Sequence, residues 1–361
     1  MCYIIHPFLI NKKADIFFAH TNIWRALEIA RIIGEFGYIV DGISYDDYDS
    51  KISDNYDLLI GFGRACVLAK RLSEQTVKLY IATESEATIH NRRESESLER
   101  LNNRRSCNLT PMRKSYKIFS NDLKYFDAIA CLGNKVTADT YRPFFKKKIY
   151  CFNNHGYDHN MGLSDHKNFK TARRKFLFFG SIGQVLFGLD LLLEVFAKKP
   201  LLDLFVCGPF EKEKEFIQCY WEELYNKPNI HPVGWVSLKS KIFSDLMKKC
   251  GMVIVPICSG ASTGSVIVCM GKGLIPIVTK EAGIDTDDFG ITLSSSNLKD
   301  IDEKIEWISN QPAKWHEEMH YKVLKAAQRD FSQEAFTRRF TEIFKNIIIN
   351  NNTGSIAQIH K

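Results

Sequence analysis

Three observations predict an α/β fold made of two doubly wound halves. First, residues Met252 to Ile284, MVIVPICSGASTGSVIVCMGKGLIPIVTKEAGI, place a helix between two continuous apolar runs. Such runs mark parallel strands, which are covered on both faces. Second, strand-length apolar runs alternate with helix-period segments along the whole chain. Third, residues 158–174 (DHNMGLSDHKNFKTARR) are polar, lack periodicity and separate two such series. Two open sheets joined this way leave a cleft between their carboxyl edges, where α/β sheets bind ligands.

In the first series Cys2–Ile5 reads as a strand. Asn22–Phe36 reads as an amphipathic helix with Trp24, Leu27, Ile29, Ala30 and Ile33 on its apolar face, ended by Gly37. Ile39–Ile43 and Asp57–Ile60 follow as strands, Ala65–Leu72 as a short helix and Lys78–Ile81 as a strand. Residues 84–124 are polar and rich in arginine. Glu94, Ser97, Leu98 and Leu101 indicate one helix there, expected on the surface. Ala128–Leu132 and Ile149–Phe152 are strands on either side of a helix at Val136–Phe144, giving a layer of six or seven strands.

The second series runs Phe176–Phe179 (strand), Gly188–Ala197 (helix), Asp203–Cys207 (strand), Glu211–Tyr225 (helix), Ile230–Trp235 (strand) and Lys239–Cys250 (helix). The strand Met252–Pro256, the loop Cys258–Thr263, a helix from Gly264-Ser265 to Lys272 and the strand Leu274–Thr279 come next. Ile291 starts a last short strand, and helices over 300–309 and 313–348 close the chain. The Rossmann-like domains expected are 1–157 and 175–330, joined by the connection 158–174. A helix over 331–349, able to cross back to the first domain, and a frayed tail over 350–361 complete the chain.

A chain of 361 residues is too long for one ordinary core, and 45% hydrophobic with 25% charged residues describes a soluble globular protein. No apolar run approaches the roughly 20 residues that span a bilayer. The start, MCYIIHPFLINKK, puts its charge after the apolar stretch, the reverse of a secretory signal. Ten cysteines without CxxC pairs resemble neither a zinc site nor a disulfide framework. Cys131, Cys151, Cys207 and Cys250 read as small buried hydrophobes, so a reducing cytoplasm is expected. No metal is expected: no DxD-type carboxylate pair falls in the cleft, and Asp46-Asp47 and Asp287-Asp288 read as solvated turns.

The net charge of +7 is concentrated in Arg92-Arg93, Arg100, Arg104-Arg105, Arg113-Lys114, Lys146–Lys148 and Arg173–Lys175. Two readings of these residues remain open, solvated faces or a surface for anionic lipid or a phosphorylated acceptor. Nucleic acid is not expected, because aromatics are not interleaved with the basic residues.

The loop before Gly264 lies after a strand and opens a helix, where free N–H groups and the helix dipole favour an anion. Gly260, Ala261, Ser262, Gly264 and Ser265 would let a ligand approach the backbone, although the same residues serve plain tight turns. Gly180-Ser181-Ile182-Gly183 is a second turn of this kind.

In order along the chain, FLFFGSIGQVLFGLDLLLEVF (176–196), LFVCGPF (204–210), NIHPVGWV (229–236) and CSGASTGSVIVCMGKGLIPIVTKEAGI (258–284) resemble retaining glycosyltransferases of the GT-B architecture, specifically glycosyltransferase family 4, group 1. HTNIWRALEIARIIGEFGYIVD (20–41) and CFNNHGYD (151–158) are more loosely similar. The resemblance implies two Rossmann-like domains facing a cleft. It also implies retaining transfer of a hexose from a nucleotide-diphosphate sugar, the donor substrate, to a saccharide or lipid-linked acceptor in cell-surface polysaccharide synthesis. No separate cofactor is implied.

Donor contacts are expected from Gly180, Ser181, Gly183, Gly208, Pro209, Gly234, Trp235, Thr263, Gly264, Ser265, Val266, Lys280 and Glu281. Acceptor-side candidates are His20, Thr21, Asn22 and His155; a helix cap and a structural histidine are the other readings of these. The implied place is the cytoplasm, or the inner membrane face as a peripheral protein. Two features depart from the family. Ser181 and Phe187 stand where an arginine and the phosphate-binding lysine are usual, and Gly260 and Val268 stand where two glutamates are usual. A catalytically degenerate binding subunit of another glycosyltransferase is therefore the rival reading.

Overall fold

The computed structural model describes residues 1–4, 21–53, 55–116, 118–157 and 167–359, with side chains through residue 349. In the first half these are β1 (Cys2–Tyr3), α1 (Thr21–Glu35), β2 (Ile43–Ser44), β3 (Leu58–Gly61), α2 (Ala65–Arg71), β4 (Val77–Ala82), α3 (Ala87–Arg105), β5 (Ala128–Leu132), α4 (Lys135–Asp139) and β6 (Lys148–Phe152). The second half holds α5 (Phe169–Ala172), β7 (Lys175–Phe179), α6 (Leu189–Phe196), β8 (Asp203–Cys207), α7 (Lys214–Cys219), α8 (Trp221–Asn226), β9 (Ile230–Gly234) and α9 (Lys241–Lys249). After these come β10 (Met252–Val255), α10 (Gly264–Met270), β11 (Ile275–Thr279), β12 (Ile291–Leu293), α11 (Leu298–Ser309), α12 (Ala313–Asp330) and α13 (Gln333–Ile359).

The strands form two six-stranded sheets, β2-β1-β3-β4-β5-β6 and β12-β11-β10-β7-β8-β9, parallel throughout. This is the two-domain GT-B arrangement the sequence predicts. Every residue of β5, β10 and β11 is buried, which is why these strands read as unbroken apolar runs. In the second sheet the order reverses between β7 and β10, so the loops leaving these two strands face one crevice.

Some expectations are corrected. The strand expected over Ile39–Ile43 is only Ile43–Ser44, an edge pairing, and Ile39 is 97% exposed. The helix expected over Glu211–Tyr225 is a 3₁₀ turn and two short helices that break at Tyr220, and the helix after β5 stops at Asp139. The final helical stretch breaks at Phe331-Ser332, and α13 continues through the expected tail to Ile359. Phe336, Phe340, Phe344 and Ile347 of α13 are buried with Ile29, Ile33 and Phe152 of the first domain.

The cysteines differ as well. Cys107 and Cys219 form a disulfide across 112 residues, a long-range pairing that local spacing could not reveal. Among the described residues no helix is long and apolar enough to cross a membrane.

Candidate functional site

The two loops at the switch point are built differently. After β7, Gly180 donates its N–H to Cys207 O at 3.0 Å, and Gly183 adopts φ +95°. The amides that follow are already occupied. Gly183 N donates to Glu213 Oε1 at 2.6 Å and Gln184 N to Glu213 Oε2 at 3.1 Å, with Gln184 Nε2 on Oε1 at 3.0 Å. This anion-binding turn therefore holds an internal carboxylate. Phe187, where a phosphate-binding lysine would stand, is 9% exposed and packs in the second-domain core.

The loop after β10 ends in α10, whose Val266 to Met270 are all buried. Thr263 precedes it without a side-chain cap. Among the described residues nothing accepts a hydrogen bond from the amides of Gly264, Ser265 and Val266. Three N–H groups thus point out of a helix start at the carboxyl edge of the sheet. The neighbouring hydroxyls are committed: Thr263 Oγ1 donates to Ala282 O at 3.1 Å and Ser265 Oγ to Phe179 O at 2.6 Å. They can accept from a ligand while keeping these bonds. The Val266 side chain is buried, so only its amide is available.

The first domain meets this loop directly. Asn154 N donates to Ser262 Oγ at 2.8 Å, and Asn154 Nδ2 donates to Ser262 O at 3.1 Å. A Cβ on Gly264 would lie 3.2 Å from both Asn154 Nδ2 and Thr21 Oγ1. Behind them Arg25, 3% exposed, donates to Tyr3 Oη at 2.7 Å, to Asn154 Oδ1 at 2.9 Å and to Asn22 Oδ1. Among the described residues it makes no ion pair, so a cation stands close to the free amides with only neutral partners. Near β11, Asn134 Nδ2 donates to Lys280 O at 3.1 Å, and Arg93 lies 4.0 Å from Glu281. The Lys280 side chain is exposed, and none of the ion pairs among the described residues involves it.

Of the residues expected at the site, Gly264 thus meets Thr21 and Asn154, the latter held by Arg25, while the Thr263 and Ser265 hydroxyls bond within the second domain and the Val266 side chain is core. Gly208 packs on the first loop: a Cβ there would lie 2.8 Å from Gly180 O, and its N–H donates to Gly234 O at 3.0 Å. Pro209 opens a 3₁₀ turn, Ser181 is exposed, and Trp235 stands 65% exposed at the end of β9. His20 lies outside the described residues.

His155 faces away from the loop. It is fully buried against Trp24 and Phe336, and burial pushes its pKa down to about 3, so it is neutral. Val268 is core and Gly260 lies against Ile257, so neither glutamate position holds a polar side chain. Sequence reasoning missed Arg25, Asn134 and Asn154. Asn154 could have been found from the NNH run before the connection. For Arg25, the one signal was an arginine set among Ile23, Trp24, Ala26 and Leu27 in the first turns of α1.

No family model matches the sequence, and no curated protein sequence matches it. Solved structures do resemble the fold. Sucrose-phosphate synthase from Thermosynechococcus elongatus aligns with a TM-score of 0.64 and 10% identity, over 91% of this chain and 94% of that one. Anabaena HepE, in complex with UDP and glucose, aligns at 0.60 and 10% identity over 89% and 94%. TarM aligns at 0.57 and 14% identity over 82% of this chain, which spans only 55% of TarM's length. At these identities the likeness is one of fold.

Proposed function

We propose that the chain is a retaining hexosyltransferase that moves sugar from a nucleotide-diphosphate donor to a saccharide or lipid-linked acceptor, at or near the cytoplasmic membrane face, in cell-surface polysaccharide synthesis. The observation that carries this reading is the set of unoccupied amides on Gly264, Ser265 and Val266 where the two domains meet. That HepE, a protein of the same fold, is seen with UDP and glucose supports a nucleotide sugar as the ligand class.

The nucleoside diphosphate departs carrying about two negative charges, and stabilising them is the main electrostatic task of such a site. The free amides, the α10 dipole and the Lys280 ammonium would share that task. Thr21, Asn22 and Asn154 would hold the acceptor side close to the sugar, so that positioning supplies much of the acceleration. Phosphate-assisted departure requires no protein nucleophile, and none is assigned.

A screen of UDP- and GDP-sugars, reading nucleoside diphosphate release with and without saccharide acceptors, tests the reading. Release that depends on acceptor, with the donor's anomeric configuration kept in the product, is expected. Lys280→Ala should weaken donor binding about tenfold, the loss of one charge-assisted contact. Absence of release with every donor would refute sugar transfer. It would leave the rival reading, a non-catalytic subunit, which is favoured by Glu213 filling the first anion-binding turn and by the buried Phe187 and Val268.

A further inference from the structure

α3 is the crossover between β4 and β5 of the first sheet, yet it packs on the other domain. Leu98, Leu101 and the following Leu109 are buried in the second-domain core with Val185, Leu186 and Phe187. The polar contacts run the same way. Ser85 Oγ donates to Gly260 O at 3.0 Å, His90 Nδ1 lies 3.1 Å from Ser259 Oγ, and the Arg113 side chain lies over Gly183. Residues 85–113 are thus laid across both switch-point loops. Beneath them is a cavity of about 230 Å³ lined by Glu94, Leu98, Leu109, Gly183, Leu186 and Phe216.

The two ends of this arm are held differently. At the start, Glu86 N donates to Thr140 Oγ1 at 2.9 Å, and its carboxylate accepts from Ser120 Oγ, which anchors the arm in its own domain. At the far end Arg104 pairs with Asp190 at 3.0 Å and with Glu194 at 3.2 Å, and Arg105 pairs with Glu194 and Glu223. The arginine side chains are partly exposed while the carboxylates they meet are largely buried, so these pairs hold the far end of the arm together with the disulfide. The Cys107–Cys219 disulfide lies just beyond them and ties the arm to the end of α7.

We propose that residues 85–113 form a redox-latched lid over the cleft. With the disulfide formed, the lid lies closed as seen here. A protein or small-molecule dithiol reduces the bond by two electrons and two protons, giving two thiols and the dithiol's own disulfide. The lid then swings on its Glu86 anchor and uncovers both loops. The identity of what enters rests on the sugar-transfer reading; the latch itself does not.

The experiment compares the full chain, air-oxidised or treated with dithiothreitol, with Cys107→Ser and Cys219→Ser. Intact mass should rise by two hydrogens on reduction of the wild type and not of either variant. Hydrogen exchange of the amides over 98–113 should speed up about tenfold on reduction, and both variants should show the fast rate in either condition. No mass change in the oxidised chain, or unchanged exchange, overturns the latch. UDP association is then measured in both redox states. Faster association after reduction supports gating, and equal, measurable rates overturn it. Fast exchange with no UDP binding in any state leaves the lid standing and removes the nucleotide-sugar reading.

Discussion

Acidification from pH 7 to pH 5 will cost the folded chain several kcal/mol, long before its carboxylates are protonated in bulk. Burial lowers the pKa of His155 to about 3 and those of His316 and His320 to about 4. His316 and His320 lie on α12, each with one ring nitrogen on a carbonyl, Ile308 O at 2.9 Å and Gly273 O at 2.8 Å. All three bind a proton in the unfolded chain near pH 6.5 and resist it when folded. Their contribution is complete above that pH and is lost as pH falls toward their folded values. At pH 5 each accounts for about 2 kcal/mol of lost stability.

One group works in the opposite direction. Burial raises the pKa of Asp190 to about 7, despite Arg104 beside it, so protonation stabilises the fold by about 2 kcal/mol over the same interval. The net loss expected is about 4 kcal/mol, read from urea unfolding at the two pH values. His316→Gln should flatten the slope and Asp190→Asn should steepen it. Equal stability at pH 5 and pH 7 would contradict this assignment of buried neutral histidines.

Gly283→Ala should destabilise the chain by about 3 kcal/mol and remove nucleotide binding with it. Gly283 ends the turn after β11 at φ +70°, and a Cβ there would lie 2.2 Å from Ser262 N, a backbone atom that cannot step aside alone. Ser262 itself holds φ +27° and anchors Asn154 through its hydroxyl and carbonyl, so the displacement would reach the start of α10 and the domain junction. Gly183→Ala is the matched control. It also has positive φ, but its nearest obstacle is Arg113 Cγ on a flexible side chain, and a cost of about 1 kcal/mol is expected. Equal unfolding free energies for the two variants would show that the 257–263 loop is not under this constraint.

Burial on both faces made the central strands legible. Ala128–Leu132 and Asp203–Cys207 are read to the residue and β10 and β11 to within one, because a covered parallel strand tolerates few polar side chains. Edge strands lack that constraint, which is why Ile39 misled. The α10 loop was legible from its small residues after an apolar strand.

The occupant of the other turn was not legible. Glu213 lies thirty residues from Gly183, and no local pattern announces that pairing. Nor could the sequence say which domain α3 serves. Its Leu98 and Leu101 give a helical stripe, but the partner surface is assembled from residues beyond position 180. The basic charge of this segment is likewise spent within the chain. Arg93, Arg104, Arg105 and Arg113 all face carboxylates, which leaves less for an anionic surface than the sequence promised.

Calorimetric titration of the reduced 361-residue chain with UDP and with GDP, repeated on Gly264→Leu, tests most directly whether the amides at the start of α10 grip a diphosphate between the domains. The wild type should bind at least one of the two nucleotides at a single site. The variant, whose side chain would press on Asn154 and Thr21, should still unfold in one cooperative transition, at a lower midpoint, and lose binding at least about a hundredfold. No heat from the wild type at millimolar nucleotide, or equal binding by the variant, would contradict the account.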